Sequence, residues 1–263
     1  MEAKKKVTQS EIALGDLRQR QAKGRNLYYE IFKHKMDQAP NDINQFCNPK
    51  LEEESRQTLL KWIRDLDDRS SSQSLQILFS FSIPSSTAID EIINLHMPVI
   101  SAGAGTGYWE YLLHERGADI VMFDHNKIYP EGMRYLDIQT GGPELLRDHQ
   151  DRVLLIAWPD NEESSTFGID CLNNYKGDTI IHIGELLGET FSANPWGQSS
   201  SRDFQLRLAE TFRCVSRVQL PNWPGHMDSL TIWSRVDHVD SSTEMVYIAS
   251  GGIVGQRYYG WKN

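Results

Sequence analysis

From Met97 onward the chain alternates short apolar runs with longer amphipathic ones. Val99–Ala102, Ile120–Phe123, Val153–Ala157, Thr179–Ile183, Val215–Leu220 and Leu230–Trp233 are apolar enough to predict strands. Between them, Tyr108–Arg116, Pro143–Gln150, Phe167–Tyr175 and Arg202–Phe212 carry the spacing of helices. Strands and helices in alternation build a mainly parallel sheet covered on both faces. Only the loop PNWPGHMDS (221–229) separates the last two strands. That is too short for a crossover, so these two are expected to pair antiparallel.

Upstream the pattern is more polar. Residues 8–36 and 50–68 read as helices, the second with an apolar face of Leu51, Leu59, Leu60, Trp62, Ile63 and Leu66. The proline- and asparagine-rich stretch 38–49 and the serine-rich stretch 69–74 interrupt them. Ser85-Ser86-Thr87 is a helix-start signal before Ala88–Leu95. The expected organisation is a helical, partly basic extension over 1–74, the α/β domain over 75–236 and an aromatic, glycine-rich appendage over 237–263.

Charge and cysteine content narrow the class. The net charge is −9, yet residues 1–36 hold nine Lys/Arg against four acids. An acidic body with a basic arm suits a small-molecule partner for the body, and a nucleic-acid partner only through the arm. Cys47, Cys171 and Cys214 are widely spaced and odd in number, which offers neither a disulfide framework nor a zinc spacing. No apolar run reaches the ~18 residues of a membrane span, and the basic start has no apolar core behind it. A cytoplasmic protein with no membrane partner is expected.

The densest motif is Val99-Ile-Ser-Ala-Gly-Ala-Gly-Thr-Gly-Tyr-Trp-Glu. A strand runs into Gly103, Ala104, Gly105 and Gly107 and then straight into a helix. Glycine allows a sharp turn and lets backbone approach a ligand without a Cβ in the way. The helix start adds free N–H groups and a positive dipole end. The spacing G-x-G-x-G differs from the dinucleotide fingerprint G-x-G-x-x-G. Asp124 ends the next strand, where a carboxylate can accept from two vicinal ribose hydroxyls. Read structurally, the same glycines make only a tight turn and Asp124 only a cap.

With these residues in view, about 97–235 resembles the class I, Rossmann-like methyltransferases that use S-adenosylmethionine. The resemblance implies an α/β fold with a mainly parallel seven-stranded sheet, an antiparallel hairpin at its end and helices on both faces. It implies that Gly103, Ala104, Gly105 and Gly107 line the cofactor S-adenosylmethionine and that Asp124 holds its ribose. Asp137, in Tyr135-Leu-Asp-Ile, stands for the residue that flanks adenine after strand three. Ser101 departs from the pattern, because the family carries an acid at that position. Family members also place a closing helix just upstream of the first strand, which makes Ser82, Pro84 and Ser85 lid candidates.

Ligands of open parallel sheets sit beyond the carboxyl ends of the strands. The rim so defined holds Trp158, Pro159 and Asp160 after strand four, Glu185 after strand five, and Trp223 and His226 in the last loop. Amino-methylating relatives carry Asn/Asp-Pro-Pro-aromatic after strand four; Ala157-Trp158-Pro159-Asp160 keeps only the proline beside an aromatic. The catalytic candidates are therefore Asp160, Trp158, Pro159 and Glu185, and the substrate candidates Trp196, Trp223 and His226. His182, inside an apolar strand, reads as a core histidine. Each of the rings Tyr108, Trp109, Trp158, Trp196 and Trp223 reads alone as packing; together they read equally well as a stacking surface.

Three functions compete. The first is methyl transfer to a small-molecule or nucleic-acid acceptor, with a lean to an amino group. The second is a catalytically degraded relative that binds or scaffolds, favoured by Ser101 and the altered strand-four motif. The third is an NAD(P)-dependent oxidoreductase, opposed by the glycine spacing and the terminal hairpin.

Overall fold

A computed structural model describes residues 24–70, 72–160 and 164–238. The basic residues before Gly24, residues 161–163 after Asp160 and all but two residues of the 237–263 appendage lie outside the described part.

Among the described residues, four α-helices precede the sheet: α1 (Leu27–Met36), α2 (Glu53–Ser70), α3 (Ser72–Leu78) and α4 (Ser86–Ile93). The sheet strands and their helices follow as β1 (Val99–Ala102), α5 (Tyr108–Glu115), β2 (Ile120–Asp124), β3 (Gln139–Thr140), β4 (Val153–Ala157), α6 (Phe167–Asn174), β5 (Thr179–Gly184), α7 (Arg202–Thr211), β6 (Phe212–Gln219) and β7 (Ser229–Arg235). The seven strands lie in the order β3-β2-β1-β4-β5-β7-β6. Pairings from β3 through β5 are parallel, whereas β7 runs antiparallel to both β5 and β6. The expected hairpin is therefore present, and β7 is the strand that inserts between β5 and β6.

The apolar runs explain the layers. β4 is buried along Val153–Ile156 and β5 along Ile180–Gly184, as strands covered on both faces must be. One face packs Tyr28, Phe79, Ile89, Trp109, Leu113, Leu155 and Ile181 into a cluster under the N-terminal helices and α5. The other packs Ile100, Leu154, Cys171, Phe204 and Leu208 under α6 and α7. Tyr28 is fully buried, stacks on Phe79 at 4.9 Å and accepts from the Trp223 indole at 3.0 Å. Helix α1 thus shares the core of the α/β domain, and the expected boundary at 74/75 falls inside α3.

Several expected elements shift. Pro143–Asp148 is a 3₁₀ segment rather than an α-helix, and the predicted helix over 8–36 is described only from Leu27. β6 begins at Phe212, directly after α7, with an irregularity at Cys214/Ser216 that breaks its two-residue alternation. Ser85 caps α4 by accepting from the Ala88 amide at 3.2 Å, as its sequence signal suggested.

Candidate active site

Gly103, Gly105 and Gly107 all take positive φ (72°, 59° and 75°), the region where a side chain is strained. The turn is tied to β2: Gly103 and Ala104 donate to the Phe123 carbonyl at 2.9 and 3.2 Å. The Gly105 amide donates to Asp124 Oδ2 at 3.0 Å, and the Asn126 amide to Asp124 Oδ1 at 2.8 Å. Asp124 therefore joins the glycine turn to the end of β2. An ionised carboxylate has about four acceptor positions, and these two bonds leave room for two more. Next to it, Asn126 at φ 57° spends its amide N–H₂ on Ile138 and Thr140 while its buried Oδ1 has no partner.

Two rings lie on this turn. A Cβ at Gly103 would meet Phe167 at 3.0 Å, and one at Gly105 would meet Tyr129 at 3.4 Å. His125 sits edge-on to Phe167, with ring centroids 6.3 Å apart. Burial and the Asp124 charge push the Tyr129 phenol above its usual range. Asp137 is exposed and precedes β3, between Leu136 and Ile138, which both lie against Gly107. Its place in the chain is therefore before β3 and not after it, a correction to the expected position; a two-residue exposed strand gave no pattern by which to place it.

Ser101 points into the core. It is 2% exposed and donates to Glu110 Oε1 of α5 at 2.5 Å. Burial pushes the Glu110 carboxyl up to about 7, against the pull of the Ser101 hydrogen bond. Between its ordinary 4.5 and about 7 the folded chain keeps a proton that the unfolded chain has lost. The stability this proton confers is whole below about pH 4.5 and drains away as pH rises to about 7. Glu110→Gln is thus expected to be near neutral at pH 4.5 and to stabilise by roughly 3 kcal/mol at pH 8. Urea unfolding at the two pH values checks this, and an equal effect at both would refute it.

At the end of β4, Trp158 takes φ 47°, uncommon for a bulky residue. Its amide donates to the Ile183 carbonyl at 2.9 Å, its indole N–H to Asp228 Oδ2 at 3.1 Å, and its ring stacks on Phe81 at 4.9 Å. Ser82 donates to the same Asp228 oxygen at 2.8 Å. His226 lies with its ring 6.0 Å from that of Trp158. The structure therefore gathers Trp158, His226, Phe81, Ser82 and Asp228 at one place.

Asp160 and Glu185 are close by but not free at the rim, as the sequence reading expected them to be. Asp160, 5% exposed, accepts from Ser165 Oγ (2.8 Å) and from the amides of Gly168 (2.9 Å) and Ser201 (3.1 Å). Glu185, 2% exposed, accepts from Thr190 Oγ and the Gln198 amide at 2.9 Å each, and from the Met227 amide at 3.2 Å. Pro159 is buried. Trp223 is buried against Tyr28, and Trp196 is half-buried with the Arg202 guanidinium 5.9 Å from its ring. His182 is fully buried, and neither ring nitrogen has a hydrogen-bond partner. Glu110, Asn126, Tyr129, Phe167 and Asp228 are the residues that sequence reasoning did not pick out.

No protein-family profile matches the chain, and no curated protein matches it in sequence. Solved structures do match. A protein provisionally named a Zn-dependent alcohol dehydrogenase from Rhodobacter sphaeroides is 16% identical, with 58% of this chain and 90% of that one covered and a TM-score of 0.41. The 1,6-didemethyltoxoflavin-N1-methyltransferase of Burkholderia thailandensis, with S-adenosylhomocysteine bound, is 14% identical over 69% of this chain and 87% of its own (TM-score 0.36). Magnesium protoporphyrin IX methyltransferase from Synechocystis PCC 6803 is 13% identical over 66% and 98% (TM-score 0.37). The fold assignment rests on the strand order itself. With β7 antiparallel between β5 and β6 and the glycine turn after β1, the chain has the fold of the class I, Rossmann-like methyltransferases.

Among the described residues, no helix is long and apolar enough to cross a membrane.

Proposed function

We propose that the chain binds S-adenosylmethionine over the glycine turn and transfers its methyl group to a small-molecule acceptor. The observation that carries this reading is the junction of Asp124 with the Gly105 amide, beside the unpartnered Asn126 Oδ1. These groups fit the cofactor: two acceptor positions remain on Asp124 for a vicinal diol, and Asn126 Oδ1 calls for a donor. The glycines present main chain with no Cβ, and the Phe167 and Tyr129 rings, which lie over Gly103 and Gly105, would move aside to flank the ligand.

When bound, the cofactor supplies an activated methyl group on a sulfonium, so the protein is left with alignment and exclusion of water. Gly103, Ala104, Gly105 and Gly107 would hold the methionine side and Asp124 the ribose. Trp158, at the end of β4 beside β1, stands where the acceptor must come. Asp160 and Glu185 support this rim through the loops they brace, and the strained Trp158 fixes its shape. The acidic body favours an acceptor that donates hydrogen bonds, in keeping with an amino group.

The fold-only alternative, a binding module without transfer, draws on Ser101, whose hydroxyl is spent on Glu110. The test is thermal unfolding with S-adenosylhomocysteine or NAD at millimolar concentration. A rise in Tm of several degrees with the first alone is expected, since binding at ~100 times Kd adds about 2.7 kcal/mol. No shift with S-adenosylhomocysteine, or a larger one with NAD, would overturn the proposal.

A further inference from the structure

Just before β7, beside the end of β4, the Asp228 carboxylate keeps hydrogen-bonding capacity that the described fold leaves unspent, as does the hydroxyl of its neighbour Ser229. Asp228 is 2% exposed, and Oδ2 takes both the Ser82 hydroxyl and the Trp158 indole. Oδ1 is buried with no partner. A buried acceptor left unpaired costs about 1–3 kcal/mol. Three further facts point to a ligand. Trp158, which donates to Asp228, is held in a left-handed conformation that a bulky residue adopts only under compulsion. Its ring is stacked on Phe81, from a segment (80–85) without regular structure. The neighbouring charge is also negative: Glu185 adds to burial in pushing the Asp228 carboxyl up to about 7. Such a field repels anions and favours a donor or a cation.

We propose that Asp228 Oδ1 receives an N–H of the acceptor, a flat small molecule bearing an amino group that enters from the Phe81 side and rests against Trp158. This rests on the cofactor reading only for what happens next. Trp158 follows β4, and β4 pairs with β1, whose end carries the glycine turn. An amine held at Asp228 against Trp158 would therefore lie at the same end of the sheet as that turn. The role is binding and orientation, and it names the chemical class of the acceptor: an amine rather than a carboxylate or phosphate.

The full-length chain, labelled with ¹⁵N in its tryptophan indoles, tests this with benzylammonium and benzoate as probes. Benzylammonium is expected to shift the Trp158 indole signal, assigned through Trp158→Phe, and benzoate to leave it in place. Asp228→Asn directs its N–H₂ to the Oδ1 position, because Oδ2 must still accept from Ser82 and Trp158, and so turns the free acceptor into a donor. It should weaken benzylammonium about tenfold or more while S-adenosylhomocysteine binds as in the wild type. Should that variant not fold, Ser82→Ala, which frees a lone pair on Oδ2, is expected to tighten benzylammonium about threefold. Equal shifts with both probes, no shift with either, or unchanged amine affinity in the folded variant would overturn the proposal. Loss of S-adenosylhomocysteine binding in the wild type, with the amine still bound through Asp228, would instead overturn the cofactor reading alone.

Discussion

Asp160→Ala is expected to destabilise the folded chain by about 3–5 kcal/mol, among the largest losses available to a single polar side chain. Its carboxylate takes the Gly168 amide in the first turn of α6, the Ser201 amide that precedes α7, and the Ser165 hydroxyl just before α6. Removing it leaves two backbone donors at helix starts without partners. Each costs about 1–3 kcal/mol when buried, with the loss of a cap on top. The site has no slack either, since a Cβ on Gly168 would lie 2.6 Å from Asp160 Oδ2. Asp160→Asn should lose less, because one oxygen still accepts while the amide nitrogen faces the Ser201 N–H. Urea unfolding measures both. A loss under about 1 kcal/mol for the alanine variant would show that the carboxylate is not a brace and would return it to the acceptor rim.

Asp124→Ala is expected to weaken S-adenosylhomocysteine by about 1–3 kcal/mol, roughly five- to 150-fold in Kd. Two effects add. The variant loses the acceptor for the ribose diol, and it releases the Gly105 and Asn126 amides that Asp124 holds at 3.0 and 2.8 Å. Asp124→Asn separates them: its amide oxygen can keep one backbone bond, so the turn is partly retained while the charge is gone. Calorimetry on the three proteins decides, and a Kd for Asp124→Ala equal to that of the wild type would refute the ribose assignment.

Much of this site could be read from the sequence because its chemistry is local. Positive φ at three closely set positions demands glycine, so Gly103, Gly105 and Gly107 announce the turn. The strand that must lie beside it ends in an acid at a fixed distance. β4 and β5 are buried on both faces and so appear as unbroken apolar runs. What stayed hidden depends on distant pairing. Ser82 and Asp228 are 146 residues apart in sequence and meet only because β7 inserts beside β5. Glu110 sits in the first turn of α5, where an acid is ordinarily solvated, and packing against Ser101 buries it. Phe167 and Tyr129 carry no motif, and their contact with the glycines depends on how the loops after β4 and β2 fold back. Asp160 and Glu185 were placed at the correct strand ends. Burial and multiple donors, which composition does not reveal, then made them braces.

The central claim is that the glycine turn and Asp124 together grip an adenosine-bearing ligand. A crystal structure of the chain with S-adenosylhomocysteine measures it most directly. The account predicts density along Gly103–Gly107, with both ribose hydroxyls within hydrogen-bonding distance of Asp124 and the Phe167 and Tyr129 rings moved to flank the ligand. Rings still packed on Gly103 and Gly105, with the ligand absent or bound elsewhere, would contradict it.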